Sequence, residues 1–185
     1  MNIFVLSIMI AEALVMLFQL RSLLQSSSAD YYHPFTQSII KLTNPILKIV
    51  KIRTVYLWGI FINGFIISLV FSIIFWVILL AILSGFSNFA DLLIQSLIIG
   101  TLMTIKSFGY LLIILLLIQA ITSWLPSTRS ISYLFSQITY PIVAPVQKII
   151  PPIGMIDISL MIVLLGLFAI NRLMYSLIPQ FWLII

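Results

Sequence analysis

Most of this chain is too apolar to sit in water. Four stretches, residues 3–24, 56–83, 107–125 and 158–178, are predominantly apolar, and two polar loops supply most of the relief between them. A hydrocarbon core about 30 Å thick is crossed by about 20 helical residues at about 1.5 Å of rise each. Each stretch therefore predicts a membrane-spanning helix. The composition removes the soluble alternative: with 63% hydrophobic and 7% charged residues among 185, a globule of this size has too little polar surface to cover itself. The expected fold class is an all-α membrane protein with about four transmembrane helices.

The first stretch has no basic segment ahead of it and no small-residue cleavage site, and it carries Glu12 and Arg21. It reads as a retained span, not a signal peptide. The chain has no cysteine, which excludes disulfides, thiolate metal sites and thiol nucleophiles. Trp58 and Trp76 are about 27 Å apart along a helix, a spacing that puts the two indoles at opposite interfaces. Trp124 and Trp182 fall near the ends of the later spans in the same way. The run Phe89–Leu125 is harder to place, because as one helix it would be about 55 Å long, too long for a single crossing. With one glycine and no proline around Lys106-Ser107-Phe108-Gly109, two crossings are disfavoured. The expectation is an interfacial or re-entrant helix over Ala90–Ile105 that leads into the third span.

The two polar loops repeat one pattern. Shifted by 96 positions, Phe35, Ile39 and Leu42 fall on Ile131, Phe135 and Ile138, the stripe of an amphipathic helix. Thr43-Asn44-Pro45-Ile46 then falls on Thr139-Tyr140-Pro141-Ile142. Each proline is expected to end the helix before it, with a second short amphipathic element following. In the second copy that element has Ile142, Val143, Val146, Ile149 and Ile150 on one face and Gln147 and Lys148 opposite, with Pro145 in its first turn. Pro151, Pro152 and Gly154 close it, and Asp157 suits the N-terminus of the last span. The first copy has Lys48, Lys51 and Arg53 in place of that exit, and is expected to run on into the second span. The chain thus divides into a first repeat (1–84), a connector (85–106) and a second repeat (107–185). Around the loops lie Arg21, Lys41, Lys48, Lys51, Arg53, Arg129 and Lys148, whereas the other side has little beyond Lys106. The positive-inside bias puts both loops in the cytoplasm and both termini outside, so the hairpins are parallel repeats.

The stretch YPIVAPVQKIIPPIGMID, Tyr140 to Asp157, resembles the signature of the YggT family, also called YlmG. Arg21, the run DYYHPF from Asp30 to Phe35 with its Pro34, and Asn44-Pro45 resemble that family's first repeat. The resemblance extends over nearly the whole chain and is most specific in the second copy. It implies a protein of the bacterial inner membrane associated with tolerance of osmotic shock; relatives in other lineages are associated with organisation of membrane complexes, nucleoids or division.

Few residues invite chemistry. Glu12 sits about 18 Å from the cytoplasmic end of its span, Asn63 about 14 Å and Arg172 about 22 Å. An intramembrane carboxylate needs a partner, so a Glu12–Arg172 pair with Asn63 or Asn171 nearby is expected, either lining a polar path or fixing helix rotation. Lys106 is expected near the outer interface, where it can snorkel. Gly64, Ser68 and Ser72, and again Ser96, Gly100 and Thr104, lie four apart and predict close helix approach. The basic loop Lys41–Arg53 suits anionic headgroups more than nucleic acid. His33 has no metal-ligand partner at useful spacing, and no triad, zinc site or P-loop is present in the sequence. The expectation is a non-enzymatic membrane protein without a cofactor. It contributes to osmotic tolerance through ion movement or, alternatively, positions partner complexes through its loops. The partners expected are the bilayer, copies of itself or other membrane proteins.

Overall fold

The computed structural model describes residues 3–27, 29–50, 55–57, 60–84, 89–150 and 157–185. Lys51, Arg53, Trp58, Pro151, Pro152 and Gly154, and the exit turn expected there, lie outside the described residues. The elements run α1 (Ile3–Ser26), α2 (Pro34–Val50), β1 (Tyr56–Leu57), β2 (Ile60–Phe61), α3 (Asn63–Ser84), α4 (Phe89–Trp124), a 3-10 turn (Pro126–Thr128), α5 (Arg129–Gln147), α6 (Ile158–Leu177) and a short α7 (Pro179–Trp182). Four of them, α1, α3, α4 and α6, are long and apolar enough to cross a membrane.

The spine of the bundle is α4, and it corrects the expected connector. It is one helix of 36 residues with no interfacial or re-entrant break. The sequence has no proline there to stop it, and its stretch from Gly100 to Thr104 is held by neighbours. Ser72 Oγ donates to the Gly100 carbonyl at 2.7 Å, Trp76 Nε1 donates to Met103 Sδ at 3.2 Å, and Gln19 Nε2 donates to the Thr104 carbonyl at 2.8 Å. Its second half packs on α1, α5 and α6. At about 1.5 Å per residue α4 is about 54 Å long, so it crosses steeply tilted or projects from the bilayer.

The small-residue faces do what their spacing predicts. Gly64 donates its N–H to Ser22 Oγ at 2.9 Å, and a Cβ there would strike the Phe18 carbonyl oxygen. At Gly100 a Cβ would lie 2.9 Å from the Ile73 Cα. Ser68, Ser72 and Ser96 are fully buried. One apolar cluster joins Ala11, Val15, Trp76, Leu79, Ile99 and Met103; a second joins Leu20, Leu23, Leu24, Leu111, Leu112 and Leu115 with Ile39 of α2 and Leu134, Phe135 and Ile138 of α5. Trp76 is therefore a core residue, not an interfacial one: its N–H is satisfied by a thioether inside the bundle.

Both loop helices continue through their prolines. α2 contains Pro45, and α5 contains Pro141 and Pro145, so the expected break and second element are absent. An interior proline costs about 3 kcal/mol. Against that, burying Leu134, Phe135, Ile138 and Val143 contributes about 1.5–3 kcal/mol each. Docking wins, and Pro45 and Pro145 lie on exposed positions of their helices. The stripes also shift. Ile39, Phe135 and Ile138 are buried as expected, but Leu42 and Ile131 face outward, and the fully buried Thr43 and Thr139 continue the inner face. The first copy does not run on into its second span either. The β1–β2 pair (Tyr56↔Phe61, Leu57↔Ile60) intervenes, and Phe61 donates its N–H to Ser26 Oγ at 2.7 Å.

Candidate functional sites

Polar side chains gather at two places along α4. At its middle, the buried Lys106 sends Nζ to the carbonyl oxygen of Trp182 at 3.0 Å and lies 5.5 Å and 5.8 Å from the Tyr110 and Trp182 ring centroids. Trp182 in turn donates Nε1–H to Asn171 Oδ1 at 2.9 Å. Tyr110 lies within hydrogen-bonding reach of Tyr175 and Asn171 and in the field of Glu12. The surrounding cavity, about 90 Å³, is lined by Lys106, Gly109, Tyr110, Asn171, Met174 and Trp182 among others.

This arrangement replaces the expected pairing. Glu12 has Lys106 as its charged neighbour, its Oε1 is buried without a hydrogen-bond partner, and it makes no salt bridge with Arg172. Arg172 is on the opposite, exposed face of α6, beside Ala169, Leu173, Tyr175 and Ser176. Asn63 is not at mid-span: it opens α3, and its Oδ1 accepts the Val55 N–H at 2.9 Å. Nor does Lys106 snorkel; it is 8% exposed, and its charge is met by a carbonyl and two rings within the bundle. Trp182 is buried over it, not set at an interface. Tyr110 and Tyr175 are not singled out by the sequence pattern, and Trp182 is expected at an interface. The available signal was spacing: Lys106–Tyr110 and Asn171–Tyr175 are both i,i+4 polar pairs in apolar helices, and i,i+4 residues share a face.

The second site is built on α5. Thr139 donates to Gln119 Oε1 of α4 at 2.6 Å and also bonds back to the Phe135 carbonyl at 2.9 Å. Thr43, its counterpart under the 96-residue shift, bonds back to Ile39 at 2.7 Å. Gln119, Tyr133, Ser136, Gln137, Tyr140 and Gln147 line a groove of about 370 Å³ with Val143 at its base. Tyr133 and Tyr140 stand exposed at its mouth, and Gln137 Oε1 is buried without a partner. At its far end Gln147 Nε2 donates to Asp157 Oδ2 at 2.7 Å, while Asp157 Oδ1 accepts the Ser159 N–H at 3.0 Å and so caps α6, as its position predicts. No charged side chain lines this groove; Lys148 is exposed beyond the end of α5.

The remaining motif residues serve local structure. Pro34 occupies the first position of α2, where a missing N–H costs nothing, and His33 Nδ1 accepts the Phe35 N–H at 3.2 Å. Asn44 is half-buried on α2. Arg21 is half-buried on α1 in the field of Tyr31, with Nε unpaired. Among the described residues no group of three or more His, Asp or Glu side chains is placed to hold a metal.

Comparison with known proteins accords with this arrangement. The family description CCB3/YggT matches residues 98–178, which takes in most of α4, all of α5 and all of α6. A Vibrio alginolyticus protein described as uncharacterized, in the proC 3′ region, is 37% identical over 91% of this chain and 90% of its own length. An uncharacterized Haemophilus influenzae protein is 31% identical over 98% and 95%. The uncharacterized protein YggT of Escherichia coli K12 is 31% identical over 88% and 83%. No solved structure matches the chain significantly. With likeness extending through the spine helix, the α5 groove and the capped last span, the chain belongs to the YggT family.

Proposed function

We propose that this protein is a non-enzymatic organiser of the bacterial inner membrane. In this reading it holds a partner membrane protein against the groove of α5, and its contribution to osmotic tolerance follows from that placement. The observation that carries it is the groove itself. α5 spends its apolar face on the bundle and turns Tyr133, Gln137, Tyr140 and Gln147 outward, with the tyrosines exposed and a buried amide oxygen unpaired. Exposed tyrosines and unpaired amides at a fixed site are the usual makings of a protein contact.

The proposal includes two parallel repeats with their loop helices in the cytoplasm and both termini outside. Shifting α1, α2 and α3 by 96 positions gives 99–122, 130–146 and 159–180; the second set of elements is the later part of α4, α5 at 129–147 and α6 at 158–177. On this reading residues 89–98 are the connector, fused to the front of the second copy's first span. Single cysteines at Ser28, Ser127 and Ser87, introduced into a chain that has none, test the orientation. Labelling of Ser127 from outside intact cells, with Ser87 protected, overturns it.

A second reading is ion movement, and one observation favours it: Glu12, Lys106, Tyr110 and Asn171 converge inside the bundle. Intramembrane ionisable groups often mark ion pathways. Two experiments separate the readings. A photo-crosslinking residue at 133 or 140 is expected to give a discrete protein adduct in cells, absent when the probe is at Leu165. Purified protein in liposomes is expected to pass no ions under an osmotic gradient or applied potential. Flux that disappears in Glu12→Gln and Lys106→Met, without groove adducts, selects ion movement.

A further inference from the structure

The outward face of α6 carries a cation with no counter-ion in the chain. Arg172 is exposed on the side away from α4, while Leu160, Leu167, Asn171 and Met174 face inward. The chain has four acidic residues, and all are placed elsewhere. Glu12 faces Lys106, Asp30 accepts the Tyr32 N–H, Asp157 is held by Gln147 and the Ser159 N–H, and Asp91 sits in the first turn of α4. A guanidinium facing hydrocarbon is costly unless it meets water or an anion. An anion at the membrane surface, outside the chain, is the strongest partner it can reach.

A second copy supplies that anion poorly. In a parallel dimer residues meet at equal depth, and Arg172 lies beside the level of Lys106–Gly109 on the spine. The exposed Asp91 is about 22 Å away along α4, and Asp30 is in the loop before α2. The bilayer supplies a phosphate directly. Arg172 is five residues, about 8 Å, from the end of α6, within the reach of an extended side chain. Ser176, one turn later on the same face, is exposed and adds a hydroxyl. Toward the middle of the helix, Gly166 has nothing within 4 Å of a Cβ position, and Ala169 is exposed, so the surface there is smooth enough for a chain of methylenes.

We propose that this face is a binding site for one anionic phospholipid. Arg172 takes its phosphodiester as a two-pronged donor, Ser176 adds a third hydrogen bond, and an acyl chain lies over Gly166 and Ala169 toward Leu165. The site is independent of the α5 groove.

The test is native mass spectrometry of the full-length protein transferred from micelles containing phosphatidylglycerol, phosphatidylcholine or inorganic phosphate alone. The wild type is expected to retain one phosphatidylglycerol. Phosphatidylcholine should be held about tenfold more weakly, and phosphate alone should leave no adduct. Arg172→Gln is expected to lose that lipid, with affinity down about tenfold; Arg172→Lys, which keeps the charge but not the fork, should fall between. Arg129→Gln, a control at an exposed cation on α5, should change nothing. Ala169→Leu retains the arginine and obstructs only the acyl groove; its expected loss of lipid keeps the test open if Arg172→Gln fails to fold. Equal lipid retention in Arg172→Gln or Ala169→Leu and wild type overturns the proposal. So does a shift in dimer fraction without a change in lipid number, which would mean that a second copy covers the face.

Discussion

Replacing Gly64 with alanine probes the tightest contact between spans. The added methyl strikes the Phe18 carbonyl oxygen, a backbone atom that cannot rotate aside, and lies 2.5 Å from Ser22 Oγ. α1 must move away from α3, at an overpacking cost of about 1–3 kcal/mol. The Gly64 N–H to Ser22 Oγ bond stretches as it does so, losing about 1 kcal/mol more. Alanine's better helix propensity returns at most about 1 kcal/mol, and less at the second residue of a helix. The net is a destabilisation of about 2 kcal/mol, close to a thirtyfold change in the unfolding equilibrium. The assay is SDS titration of the purified protein in mixed micelles, followed by circular dichroism and tryptophan emission. Gly166→Ala is the control, because the same methyl there meets nothing within 4 Å and should be neutral or slightly stabilising. If Gly64→Ala unfolds at the same SDS fraction as wild type, or a higher one, the backbone-to-backbone approach of α1 and α3 is not real.

The same titration checks three other features. Thr139→Val leaves Gln119 Oε1 buried without its donor and should cost about 1–3 kcal/mol, with Thr139→Ser close to wild type; equal stability of all three would remove the α4–α5 bridge. Pro45→Ala restores a helical N–H in an uninterrupted α2 and should stabilise it by up to about 3 kcal/mol, seen as slower amide exchange over residues 41–49. Unchanged exchange would mean that the chain is broken there after all. Asp157→Ala removes the cap of α6 and the acceptor for Gln147, a loss of about 1 kcal/mol or more, whereas Asp157→Asn keeps an acceptor and should lose less.

How far the sequence could be read depended on the kind of interaction. Spans, small-residue contacts and the Asp157 cap were legible, because apolar length, i,i+4 spacing of Gly and Ser, and a carboxylate before a helix are local signals. The prolines misled because propensity is local and docking is not: the four buried side chains of α5 offset its two prolines in a way that no short window can weigh. Depth counting failed at Glu12 and Arg172, since it gives level but not azimuth: Glu12 has Lys106 as its charged neighbour, while Arg172 is exposed on α6. Lys106 was misplaced for a related reason. Its partner is a backbone carbonyl, contributed by a tail that folds back after α6, and a carbonyl leaves no mark in a residue pattern.

On the two-repeat reading, the copies differ where their spans cross. Gly64 and Ser22 in the first copy correspond to Leu160 and Ile118 in the second. A glycine and a serine let α1 and α3 meet backbone to backbone; in the second copy Leu160 instead packs side chain to side chain with Leu116 of α4 and Val143 of α5. Less of α6 than of α3 lies inside the bundle, 11% against 33% of the most apolar stretch. Beside the later half of α6, about 16 Å along the helix from Leu160, Lys106, Tyr110 and Asn171 gather, and Trp182 folds in against them.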